Sequence, residues 1–139
     1  MTEKLDKLDC ILLIDDDEAT NFYHRVILED EVDKTYIHAV KSARDGINYL
    51  LGKGDFEGNP QPGIIFLDIN MPGLDGWDFL SEYNELSADI HDRSIVVLLT
   101  TSVNPDDRER AAQIPAVREF VSKPLTPEAF RKVVQENFN

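Results

Sequence analysis

Cysteine is almost absent from this 139-residue chain: Cys10 stands alone, which excludes an internal disulfide. A lone thiol inside an apolar run reads as a buried strand residue in a reducing compartment. Positive charge is also scarce. Fourteen Lys and Arg face 27 Asp and Glu, for a formal net charge of −13. That balance disfavours nucleic acid and anionic membranes as partners. It suits basic protein surfaces or a metal ion. No apolar run approaches the roughly 18 residues that a membrane span needs. The mixed-charge start, Met1 to Asp9, lacks the apolar core of a secretion signal. A cytoplasmic protein is therefore expected. Internal repeats, low-complexity tracts and linkers are missing too, so one domain over residues 1–139 is expected. With 42% apolar residues, the composition is globular rather than disordered.

What is present is arranged around Gly63-Ile64-Ile65-Phe66-Leu67-Asp68-Ile69-Asn70-Met71-Pro72-Gly73. An apolar run of this length, bounded by turn signals, reads as a strand buried on both faces. Asp68 then lies where that strand ends, at a sheet edge. The same alternation runs through the chain. Cys10 to Ile14 reads as strand one and ends in Asp15-Asp16-Asp17. Ala19, Phe22, Tyr23, Val26 and Ile27 have helical spacing and predict the inner face of a first helix. Thr35 to Val40 reads as strand two. Ser42 is an N-cap signal, and Ala43, Ile47, Leu50 and Leu51 form a second helical face. Gly52 to Gly63 holds four glycines and two prolines and reads as a long surface loop. Gly76, Phe79, Leu80 and Tyr83 predict a third helix, with Asn84 to Arg93 as a polar tail or loop. Ile95 to Leu99 reads as strand four, ending in Thr100-Thr101-Ser102. Asn104-Pro105-Asp106-Asp107 and Thr126-Pro127-Glu128 share a cap, proline and acid start for helices four and five. Phe130, Val133, Val134 and Phe138 mark the inner face of the fifth helix. Val117 to Val121 reads as strand five, closed by Lys123-Pro124.

Strands alternating with helices predict a doubly wound α/β fold, a five-stranded parallel sheet covered on both faces with right-handed crossovers. At this size the expected order is 2-1-3-4-5, with the ligand site at the switch point between strands one and three. Asp15, Asp16 and Asp68 then meet Thr100 and Lys123 on one rim. Clustered carboxylates repel and raise one another's pKa. A divalent cation held by oxygen ligands offsets this, and Mg²⁺ suits one or two carboxylates plus a phosphate. The set fits phosphoryl transfer to Asp68 as nucleophile, giving an aspartyl phosphate. Singly, each residue has a plainer role: Asp17 as a helix cap, Asp68 as a turn cap, Thr100 as a strand-end residue, Lys123 as a solvated lysine. Their conjunction at four strand ends is what points to chemistry. His24, His38 and His91 show no ligand spacing and read as surface or packing residues. Trp77 lies off the apolar face of the third helix, and partial exposure is expected there.

Four segments carry a family resemblance: Ile11-Leu12-Leu13-Ile14-Asp15-Asp16-Asp17, Phe66-Leu67-Asp68-Ile69-Asn70-Met71-Pro72-Gly73-Leu74-Asp75-Gly76, Leu98-Leu99-Thr100-Thr101-Ser102 and Phe120-Val121-Ser122-Lys123-Pro124. Over about residues 9 to 138 the chain resembles the receiver domains of two-component response regulators, in their single-domain, chemotaxis-type form. The resemblance implies a flavodoxin-like sheet. It implies that Asp68 accepts phosphate from a histidine kinase or phosphotransfer protein. It further implies that Asp16 binds Mg²⁺ directly and Asp15 largely through water, and that the Asn70 carbonyl completes the protein ligands. Thr100 becomes the switch hydroxyl, Lys123 the phosphate-binding lysine, Phe120 the switch aromatic and Lys123-Pro124 a cis peptide. Phe120 lacks the hydroxyl of the tyrosine found in other members. The loop before strand three resembles that of stand-alone receivers with an extended loop.

The family's output is a population shift of the surface made by helix four, strand five and helix five. Because the chain closes with helix five, no DNA-binding output domain is expected, and output falls to protein binding or phosphate relay. A homodimer through that same surface is a further expectation. Weak autophosphorylation and autodephosphorylation are the only turnover implied, so the chain is expected not to be an enzyme. Two other readings compete: a switch that has lost phosphorylation, and a Mg²⁺-dependent phosphatase. The intact Asp15, Asp16, Asp68, Thr100 and Lys123 oppose the first. Against the second, Asn70 stands where such phosphatases carry a second acid, and no cap domain is present. A flavin site is weaker still, because three aspartates follow strand one where a phosphate cradle is needed.

Overall fold

The two continuous apolar runs, Ile64–Leu67 and Ile95–Thr100, form adjacent parallel strands in the centre of the sheet. The computed structural model describes residues 8–101 and 104–138; Ser102, part of one of the sequence motifs, lies outside them. The order of elements is β1 (Cys10–Ile14), α1 (Glu18–Glu31), β2 (Tyr36–Val40), α2 (Ala43–Leu51), a 3₁₀ turn (Gly54–Phe56), β3 (Ile64–Leu67), α3 (Gly76–Asn84), α4 (Ala88–Arg93), β4 (Ile95–Thr100), α5 (Pro105–Ala112), β5 (Val117–Ser122) and α6 (Pro127–Asn137). The five-stranded sheet has the order β2-β1-β3-β4-β5, and every pairing is parallel. This is the expected doubly wound, flavodoxin-like arrangement.

Alternate strand residues serve opposite faces, so each central strand must be apolar throughout. Leu12, Ile14, Ile65, Leu67 and Leu98 pack with Ile47 and Leu50 of α2 and Phe79 and Tyr83 of α3. Ile11, Leu13, Ile64, Phe66 and Val97 pack with Leu28 of α1 and Phe130, Val133 and Val134 of α6. Helix starts follow the cap signals. Ser42 Oγ accepts from the Asp45 N–H, Asp75 and Asp78 form a reciprocal capping box, and Thr126 accepts from Ala129. Gly76 opens α3 against the end of β3, where a Cβ would lie 2.7 Å from the Asp68 carbonyl oxygen.

Two expectations are corrected. The predicted inner face of the first helix is turned outward: Phe22, Tyr23 and Val26 are 69%, 49% and 49% exposed, while Asn21, His24 and Leu28 face inward. The polar pair has partners waiting inside. Asn21 Nδ2 donates to the carbonyls of Asp15 (2.8 Å) and Val40 (3.3 Å), and the Leu125 N–H donates to His24 Nε2 (3.2 Å). The Asn21 amide N–H groups and His24 Nε2 are paired there, although Asn21 Oδ1 has no partner among the described residues. Paired polar groups can be buried at little cost, so periodicity alone chose the wrong face. The segment expected as a polar tail or loop instead contains α4. There Ile90 is buried and His91 stacks on Tyr83 with ring centroids 4.7 Å apart. One buried residue in a six-residue helix leaves no period to detect.

The long loop before β3 lies at the amino ends of the strands, away from the rim that carries Asp68. It is pinned there. Tyr49 Oη donates to the Pro60 carbonyl (2.6 Å), Gln61 Nε2 donates to the Tyr49 carbonyl (3.3 Å), and Phe56 packs on the Tyr49 ring at 5.3 Å.

Candidate functional site

Backbone hydrogen bonds continue the sheet beyond its last strand residues and fix the rim. The Asp15 N–H donates to the Val40 carbonyl (3.2 Å), Asp68 to Ile14 (2.9 Å) and Lys123 to Thr100 (2.9 Å). Asp15, Asp68, Thr100 and Lys123 are therefore held by main chain. One carboxylate oxygen each from Asp15, Asp16 and Asp68 lies within 4.8 Å of the others. Asp15 and Asp68 are buried and Asp16 is exposed. Lys123 Nζ is 2.5 Å from Asp15 Oδ2 and 3.6 Å from Asp68 Oδ2. Asp68 Oδ1 accepts from the Asn70 N–H (3.3 Å), and Asp15 Oδ1 accepts from the Asp17 N–H (2.9 Å).

Burial pushes the Asp68 carboxyl above the ordinary carboxylate range, and Asp15 and Asp16 push the same way, while Lys123 and the Asn70 N–H pull it back. One ammonium cannot neutralise three clustered carboxylates, so the site keeps an excess of negative charge. The donors are all oxygen and a hard divalent cation fits them. Thr100 is fully buried at the end of β4 beside this group. Asn70 is exposed in the turn after β3. The Lys123-Pro124 peptide is cis. Phe120 is half-buried on β5, paired with Leu98 across the ladder, and the Arg108 guanidinium lies 4.5 Å from its ring centroid. Asp17 caps α1 through the Ala19 and Thr20 N–H groups, its plainer role.

Sequence reasoning missed Asn21, which ties the Asp15 carbonyl to the end of β2. It also missed the contact of His24 with the Leu125 N–H just after Lys123-Pro124. Both are polar residues within a helix, and only a fold that supplies distant partners distinguishes them from surface positions.

The response regulator receiver domain family matches residues 11–135. The chain is 34% identical to response regulator Rcp1 of Synechocystis over 110 residues, 77% of this chain and 71% of that protein. Two other curated relatives are longer, and the match spans 32% and 45% of them. Among solved structures, a two-component response regulator from Cytophaga hutchinsonii superposes with a TM-score of 0.82 at 34% identity, covering 93% of this chain and 96% of that one. The Mn²⁺-bound form of Rcp1 superposes with a TM-score of 0.73 at 28% identity, covering 92% and 90%. Matched along its core and carrying Asp15, Asp16 and Asp68 together at one rim, the chain belongs to the response regulator receiver domains, as a CheY-like receiver of two-component signalling.

Proposed function

We propose that the chain is a receiver that takes a phosphoryl group onto Asp68 from a phosphohistidine of a histidine kinase or phosphotransfer protein. An Asp68 carboxylate oxygen attacks phosphorus as the P–N bond to imidazole breaks, and the departing imidazole takes a proton from solvent. The observation that carries this reading is a buried carboxylate clustered with two others, with a lysine ammonium 3.6 Å away. Asp15, Asp16, one Asp68 oxygen and the Asn70 carbonyl would hold Mg²⁺, which supplies charge neutralisation at the transferring group. The Mn²⁺-bound relative supports a divalent cation here. Lys123 offsets phosphoryl charge, Thr100 binds a phosphoryl oxygen, and Phe120 follows Thr100. The readout is the α5, β5 and α6 surface, offered to a protein target in the cytoplasm or to a relay.

Incubation with acetyl phosphate and Mg²⁺, followed by intact mass, tests the assignment. One phosphoryl addition is expected on the wild type, with none on Asp68→Ala and little when Mg²⁺ is chelated. An unmodified wild type, or equal addition to Asp68→Ala, removes Asp68 as the acceptor.

A further inference from the structure

Helix α5 has little apolar attachment to the domain: Ala111 is its one buried residue. Two guanidinium–aromatic contacts reach from it in different directions. Arg108 lies over Phe120 of β5 at 4.5 Å from the ring centroid, and Arg110 lies over Trp77 of α3 at 4.2 Å. Arg108 and Phe120 also share the wall of an open groove of about 520 Å³, with Asn104, Glu109 and Ser122. The Phe120 ring therefore has apolar core on one side and a cation on the groove side.

We propose that Arg108 is a positioning residue for Phe120 and sets the resting balance of the switch. This inference rests on the reading that Phe120 relocates when Asp68 is phosphorylated. A contact made in one arrangement and lost in the other biases the equilibrium toward the first. The Phe120 ring cannot leave the groove wall and keep the guanidinium over its face. Arg108 thus holds the resting arrangement, and an exposed cation–π contact is worth a factor of about two to five in such an equilibrium. Where the binding-competent arrangement is the minor one, apparent affinity for a phosphoryl mimic follows its population directly.

The test is a titration of the full chain with beryllofluoride in Mg²⁺, read by Trp77 fluorescence and calorimetry. Arg108→Gln is expected to lower the half-saturating beryllofluoride about two- to fivefold, and Arg108→Lys to stay near the wild type. In a Phe120→Leu background, Arg108→Gln is expected to produce no shift. Simple loss of a cation near an anion site works in the opposite direction, weakening binding. Unchanged or weaker binding by Arg108→Gln, or the same gain with Leu at position 120, overturns the proposal. A wild type that binds no beryllofluoride overturns the phosphoacceptor reading itself, and this inference with it.

Discussion

Asp68 is held at a cost to the fold. Its buried carboxyl is pushed upward by desolvation and by Asp15 and Asp16, and Lys123, 2.5 Å from Asp15, is the closer partner of Asp15. A site that crowds like charges trades stability for reactivity. Asp68→Asn is therefore expected to raise metal-free stability by about 1 kcal/mol, the ordinary scale of a single substitution, while abolishing phosphoryl addition. Urea unfolding of the two proteins in chelator measures the first effect, and intact mass measures the second. The carboxylates were legible from the sequence because each closes an apolar strand. Asn21 was not, since nothing local marks an asparagine whose partners are the carbonyls of Asp15 and Val40.

At the scale of elements, α1 departs furthest from its sequence pattern. Its aromatic residues Phe22 and Tyr23 stand in solvent, beginning one turn after the Asp17 cap and therefore beside the carboxylate rim. An exposed apolar face flanking a phosphoacceptor suits a docking contact for the histidine-bearing donor. Phe22→Ala with Tyr23→Ala is expected to slow transfer from a phosphohistidine protein by about tenfold, as loss of interface aromatics does. Phosphorylation by acetyl phosphate is expected to be unchanged. Stopped-time assays with the two donors separate the effects, and equal slowing with both would assign these residues to the chemistry instead. Helix α5, held by Arg108, Arg110 and a single buried alanine, is the complementary case of a weakly attached helix.

For the whole molecule, pH and self-association are the informative variables. Burial, aided by the charge of Lys123, holds the His24 imidazole below its ordinary pKa. The folded chain thus resists a proton that the unfolded chain accepts, and the stability His24 contributes is present above about pH 6.5 and lost as pH falls through its lowered value. Denaturant unfolding between pH 7.5 and 5.5 is expected to show a loss that is smaller in His24→Gln; parallel profiles would show that His24 is not responsible. A phosphorylation-dependent homodimer through α5, β5 and α6 is expected to appear on sedimentation as a mass increase with beryllofluoride. One unchanged mass across a range of concentrations would reject it. Among the described residues no helix is long and apolar enough to cross a membrane. The sequence by itself determined the strands and their order, because the buried central strands demand unbroken apolar runs, and those of β1, β3 and β4 run into Asp15, Asp68 and Thr100. Tertiary structure alone decided which face of α1 is buried and what surrounds Phe120, because those outcomes depend on distant partners. Asn21 and His24 find theirs across the fold, and Arg108 reaches its ring from another element.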